Sequence, residues 1–341
     1  MAELTTRPFE RADVAAASAL LAARHCADRA REPLLPARFE SPDACAELVR
    51  EATDYADGVV AERDGALGGF LFGVPILRAP DHPSARFQPL RACMMFAHGH
   101  AVAASEDPFA VTQALYAALG DGLVRRGIFA HLVHLASADA PLGAAWSDLG
   151  FGRWSVYAAR DLAPLPRAGA AGVVVREATA EDIALAARLA DEEVRFHARA
   201  PIWHAYLGRD TAAAARREIA GLVEGAESAV FLASRDGREV GVTAVSPAAA
   251  GPLFTPDRCA YLGQTAVLAE ARGQGTGAAL VGAALGWARE RGYAHATLHF
   301  SVANALSRSF WTGLGFRPVL WHMLRLVDER AAWARPPGAQ P

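Results

Sequence analysis

Val267-Leu268-Ala269-Glu270-Ala271-Arg272-Gly273-Gln274-Gly275-Thr276-Gly277 runs directly into a helical stretch over 278–290. A strand that feeds glycines, which feed a helix, gathers free backbone N–H groups and the positive end of the helix dipole at one spot. That spot suits an anion. Gly275 and Gly277 let a phosphate approach the main chain with no Cβ in the way. Arg272 adds a full positive charge. Two other readings compete. A dinucleotide fold places its glycine loop after the first strand of a βαβ unit. Here three or more strands come first, which argues against it. A purely structural glycine turn fits the loop taken alone.

The sequence downstream separates these readings. Asn304 is followed by Ser307, Trp311, Gly315 and Phe316. The loop Arg272-x-x-Gly275-x-Gly277 and this second pattern together resemble the GNAT superfamily, the GCN5-related N-acetyltransferases. The likeness covers the second half of the chain nearly end to end and the first half more faintly. It implies an α/β (mixed α+β) class with two tandem GNAT-like domains, each a splayed mixed β-sheet flanked by helices. It further implies acetyl-CoA, or another short-chain acyl-CoA, as co-substrate and no metal. The acyl-CoA would lie between the strands that end at Val267 and Val302. Its pyrophosphate would rest on Arg272, Gly273, Gln274, Gly275, Thr276 and Gly277. Main-chain groups of Thr265, Ala266 and Val267 would hold the pantetheine arm and the thioester carbonyl, where backbone donors stabilise an oxyanion. Asn304, Ser307 and Trp311 would contact the same arm. Asn304 serves equally well as the N-cap of the next helix.

The unit is written twice. Phe310-Trp311-Thr312-Gly313-Leu314-Gly315-Phe316 repeats Ala145-Trp146-Ser147-Asp148-Leu149-Gly150-Phe151, 165 residues earlier. The same offset pairs Arg291-Gly292 with Arg126-Gly127, His299 with His134, and Val267 with Val102. Arg235-Asp236-Gly237 matches Arg63-Asp64-Gly65, and each Asp-Gly between apolar runs signals a hairpin. The openings 7–14 and 176–183 also correspond. We therefore expect a first unit over 1–162, a Pro- and Gly-rich linker over 163–172, a second unit over 173–330, and a disordered tail over 331–341.

The first unit lacks the glycine loop. Asp107 stands where Arg272 stands, and Ala110 and Thr112 replace Gly275 and Gly277. An aspartate at a phosphate site repels. The first unit is thus expected to be structural, in the manner of the mycothiol synthase-like members that the tandem layout resembles.

Transfer to an amine requires an ammonium of pKa ~10 to lose a proton first. The strand before the loop carries no carboxylate where the family often has a Glu. The candidate bases are His299, Glu193, Glu192 and Asp257. His134 repeats His299 in the first unit, which favours a structural role for that pair. His197, His204, Trp203 and Tyr206 are candidates for a substrate pocket or for ordinary helix packing. The family's usual acid, a Tyr seven after the Asn, is here Trp311, whose N–H delivers no proton.

Every one of the 34 basic residues is Arg. Without Lys there is no P-loop and no Schiff-base chemistry. A net charge of −3 gives no global attraction to nucleic acid or to an anionic membrane. Four cysteines without metal-ligand spacing are expected as reduced thiols. The start carries no signal-peptide pattern, and no run reaches ~18 apolar residues, so a cytoplasmic protein is expected. The expected reaction is direct transfer to an amine of a small molecule or peptide, by a monomer or homodimer. A silent acyl-CoA-binding protein, or transfer to a hydroxyl or carrier-bound acceptor, stays open.

Overall fold

The computed structural model describes residues 3–80, 82–165, 171–204, 211–249 and 253–333. The centre of the expected linker, most of the expected tail, and Tyr206 lie outside the described residues.

The first half runs β1 (Thr5–Pro8), α1 (Val14–Arg31), α2 (Pro42–Tyr55), β2 (Asp57–Arg63), β3 (Ala66–Leu77), β4 (Arg91–Met95), β5 (His100–Val102), α3 (Pro108–Arg125), β6 (Ala130–Ala136), α4 (Ala140–Asp148) and β7 (Gly152–Asp161). The second half repeats the order as β8 (Val173–Glu177), α5 (Ile183–His197), α6 (Thr211–Glu224), β9 (Ala229–Arg235), β10 (Arg238–Pro247), β11 (Cys259–Val267), α7 (Thr276–Glu290), β12 (His295–Ser301), α8 (Ala305–Gly313) and β13 (Arg317–Leu326).

Local chemistry explains the repetition. Asp64-Gly65 and Asp236-Gly237 all have positive φ, between 49° and 76°. That is the backbone a two-residue hairpin needs, and Gly and Asp supply it at least cost. They join β2 to β3 and β9 to β10 in the same way. Each half also opens on the same ion pair. Arg7 holds Asp13 at 2.7 Å and also pairs with Glu62. Arg176 holds Asp182 at 2.7 Å and Glu239 at 3.4 Å.

The two halves join edge to edge as one sheet of 13 strands, ordered β1-β2-β3-β4-β6-β13-β7-β12-β11-β10-β9-β8, with β5 on β3. The pairs β4/β6 and β11/β12 are parallel; the others are antiparallel. The order contains an exchange. β7, the last strand of the first half, pairs with β12 of the second. β13, the last strand of the second half, pairs with β6 of the first. The exchanged strands pair with each other at the centre. The cores follow the exchange: Val156, Ala158 and Leu162 pack with Leu280, Leu298 and Trp311, whereas Met323 packs with Val111, Leu135 and Trp146. Arg160 of β7 also donates to the Leu314 carbonyl at the end of α8.

Burying a Val- or Leu-sized side chain contributes ~1.5–3 kcal/mol, so neither half keeps its core when its partner strand is removed. Residues 1–165 and 171–333, produced separately, are expected to be aggregated or loosely packed, and to assemble one-to-one when coexpressed. A dispersed monomeric NMR spectrum from either piece alone would contradict the exchange.

Candidate functional site

The site begins where β11 and β12 part. They pair only over Cys259–Tyr261 and His295–Thr297. Beyond that point β11 follows β10 to Val267, while β12 runs on beside β7. Opposite Thr243–Val245 of β10, β11 spends one extra residue between Leu262 and Thr265. Such a bulge bends a strand and interrupts its ladder. The opening forms a cleft of about 270 Å³. Its walls are Leu262, Gly263 and Thr265–Val267 on one side, and Leu298–Phe300, Asn304, Ser307 and Trp311 on the other.

The glycine loop forms part of the lining. Gly273 and Gly275 have φ of 72° and 84°, a region closed to most side chains. Gly275 is the N-cap of α7 and provides no side-chain cap. The Arg272 Nε donates to the Val267 carbonyl at 2.9 Å, and its guanidinium lies 5.1 Å from the Phe196 ring. Arg272, Gly273 and Gly277 line the cleft. Gln274 and Thr276 instead close the loop on itself, donating to the carbonyls of Glu270 (2.9 Å) and Ala271 (3.2 Å). A Cβ on Gly277 would meet Phe310 at 3.0 Å, so packing demands that glycine as well.

Helix α5 also lines the cleft, and its residues Glu193, Phe196 and His197 share one helix face. Glu193 reaches the bulge, where its carboxylate accepts from Thr265 N at 3.2 Å. Burial pushes its pKa up to about 7, and Glu218 adds to the rise against the Thr265 bond and Arg86. His197 Nδ1 lies 3.9 Å from Glu193. Asn304 Oδ1 accepts from Ser307 N at 3.1 Å, capping α8. Asn304 Nδ2 meets His197 Nε2 at 3.1 Å. Its amide therefore both caps the helix and faces the cleft. His299 is exposed in the cleft and bonds Tyr261 OH through Nδ1 at 2.5 Å. Shielding of the ring from bulk water inside the cleft, with nearby His197 adding to it, lowers its pKa to about 4. Trp311 is a wall of the cleft and part of the core, edge-on to Phe316 at 5.5 Å. Asp257 is held outside the cleft by Arg38. His204 is buried against Trp154, and Trp203 is exposed.

Several contributors have weak sequence signals or none. Phe196 was findable from its step of three after Glu193. Arg86 was not: it comes from the first half, pairs with Glu218 of α6, and Glu218 in turn accepts from Gln264 within the bulge.

The corresponding place in the first half is filled. Aligned on the opening ion pairs, Arg24 stands where Glu193 stands. Arg24 donates to the carbonyls of His100 and Ala97. His100 Nε2 in turn meets the His134 carbonyl at 2.8 Å, across the gap between β5 and β6. Asp107 caps α3, accepting from Phe109 N at 3.1 Å, so a carboxylate already occupies that helix end.

A glycine loop at a helix start, set beside two diverging parallel strands, defines an acyltransferase-type cleft. The second half carries a domain of the acetyltransferase (GNAT) family, whose profile matches residues 193–316. A GCN5-related N-acetyltransferase from Sphaerobacter thermophilus superposes with a TM-score of 0.55 at 17% identity, covering 94% of this chain and 95% of that one. A fungal multi-domain β-N-acetylglucosaminidase with a glucosamine N-acetyltransferase region gives 0.55 at 14%, over 96% of this chain and 38% of its own. A tandem GNAT protein from the clavulanic acid biosynthesis pathway gives 0.46 at 17%, over 94% and 98%. At these identities the likeness is one of fold. No curated protein matches the chain. Among the described residues, no group of three His, Cys, Asp or Glu could hold a metal ion, and no helix is long and apolar enough to cross a membrane.

A carboxyl raised from about 4.3 unfolded to about 7 folded takes up a proton on folding between those values. Ionising it as pH rises through that window costs stability. Glu193→Gln removes the cost. Its melting temperature should gain on wild type more at pH 8 than at pH 5; an equal gain at both would contradict the assignment.

Proposed function

We propose that the second unit, 173–330, transfers the acyl group of acetyl-CoA, or of another short acyl-CoA, directly to an amine of a small molecule or peptide. The first unit, 1–162, then serves as structural partner, as in the mycothiol synthase-like layout. The observation that carries the reading is a single cleft lined both by the anion-suited loop and by Glu193.

The residues fit such a co-substrate. Gly273 and Gly275 keep the loop free of side chains on its exposed face, and Arg272 supplies charge where a pyrophosphate would lie. The main chain of Thr265–Val267 lines the cleft beside the bulge and offers polar groups to an amide-bearing arm. Acetyl-CoA brings an acyl group already activated as a thioester. Glu193, half ionised near neutral pH, accepts the proton an ammonium must lose. His197, facing Glu193 and held by Asn304, limits where that carboxylate can turn. Trp311 donates no proton, and none is required of it, because a thiol of pKa ~8.5 leaves as thiolate. Glu193 takes precedence over His299 as base. His299 is already bonded to Tyr261, and its low pKa makes it a weak proton acceptor at pH 7.

Calorimetric titration of acetyl-CoA is expected to show one equivalent bound to wild type. In an Arg272→Glu, Gly275→Asp double variant the affinity should fall at least tenfold; absence of binding to wild type would sink the reading. With an amine substrate in hand, Glu193→Gln should lower kcat/KM by ~10²–10⁴. It should also abolish a rising limb of the pH profile centred near pH 7. Retention of that limb in the variant would assign the base elsewhere.

A further inference from the structure

The segment that leads into each parallel pair reaches across to the other half. Arg86-Phe87-Gln88-Pro89 lies just ahead of β4, and Leu253-Phe254-Thr255-Pro256 lies just ahead of β11. The second of these closes on the first half with apolar side chains. Leu253 packs among Ala17 of α1, Phe39 and Val49 of α2, and Phe254 packs against Leu35. Position for position, Arg86 stands where Leu253 stands. It is only 9% exposed, and its guanidinium pairs with Glu218 of α6 in the second half. Taking a guanidinium out of water is costly unless a partner offsets it. Leu253 shows that an apolar side chain suffices to close such a segment, so closure does not call for the charge at Arg86.

That charge leads to the cleft. Glu218 accepts from Arg86 on Oε2 and from Gln264 Nε2 on Oε1. Both carboxylate oxygens are engaged, which fixes how the group is turned. Gln264 lies in the bulge of β11, beside Thr265, whose N–H donates to Glu193 at 3.2 Å. A bulge interrupts the backbone ladder, and the Gln264 side chain ties this stretch to α6. Electrostatics run along the same contacts. Glu218 pushes the pKa of Glu193 up, and Arg86 pulls it down. The other titratable groups around Glu193 are uncharged or in solvent. Burial keeps His197 of α5 and His299 of β12 neutral and Tyr261 of β11 protonated. Glu192 is exposed, where water and salt screen it.

We propose that Arg86 is a positioning residue for the cleft of the second half, holding Glu218 and through it Gln264, so that the bulge presents the Thr265 N–H to Glu193. Its cation also offsets the Glu218 charge and leaves Glu193 able to ionise near neutral pH. The first half thereby does more than complete the sheet: it sets the state of a carboxylate in the other half. That this carboxylate is the base rests on the acyl-transfer reading; its coupling to Arg86 does not.

The test is a pH titration, by NMR, of the full chain carrying carbon-13 at its glutamate carboxyls. The signal that vanishes in Glu193→Gln reports Glu193, with a midpoint expected near 7. Arg86→Met keeps an apolar stem at a site whose counterpart is Leu253, so the segment stays closed. It should move the midpoint up by ~0.5 pH unit or more, and Glu218→Gln should move it down by a similar amount. Arg86→Lys, which keeps the charge, should bring the midpoint back toward wild type. Shifts of opposite sign are the signature, because loosened packing would move both variants the same way. A midpoint unmoved by Arg86→Met, or moved in one direction by Arg86→Met and Glu218→Gln alike, would overturn the proposal. With an amine substrate, the rising limb of kcat/KM should follow the same shifts. If the midpoints move as described but no amine releases thiol from acetyl-CoA, the acyl-transfer reading fails and the coupling stands. If an amine is acetylated and the midpoints do not move, the coupling fails and the reading stands.

Discussion

The antiparallel pairing of β7 with β13 holds the molecule together, because each strand finishes the sheet of the other half. Without β7, β12 has no outer neighbour, and the core beneath α7 and α8 loses Val156, Ala158 and Leu162. Without β13, β6 is left as an edge. An unpaired edge with an apolar inner face invites association. The exchange answers that liability twice with the same strands. It also stiffens the open side of the cleft, since β12 can diverge from β11 only if something else pairs with it.

On this shared frame the two halves have taken opposite courses. In the second, a bulge frees Thr265 N for Glu193. In the first, Arg24 and His100 tie the equivalent gap shut. In the second, α7 starts on a left-handed glycine; in the first, α3 starts on an aspartate that satisfies its own helix end. The backbone differs too: where the second half has the one strand β11, the first has β4 and β5 with a turn between them. Arg86 shows the first half reaching back across, its guanidinium pairing with Glu218 beside the bulge.

Much of this was legible in the sequence because its causes are local. Asp-Gly turns, the glycine loop and the Asn304 cap are each set by a few adjacent residues, and the repeat doubled every such signal. The exchange was not legible. β7 and β13 have similar apolar patterns and fit the same slot, so sequence alone cannot say which strand enters which sheet. The site divided the same way. Glu193 was named as a candidate, but its hold on Thr265 depends on a bulge one residue long, which periodicity does not register. Gln274 and Thr276, read with their neighbours as phosphate contacts, spend their side chains on closing the loop.

Tyr157 and His322 face each other across the line about which the halves are related. A position on such a line is shared by both halves and can be filled only once. In a symmetric pair of separate chains, the two gaps between the parallel strands would have to match. Joining the copies in one chain lets them differ. The closed gap at His100 and the open one at Thr265 show that difference: one open cleft, walled by residues of the second half, in a molecule that has the strands for two.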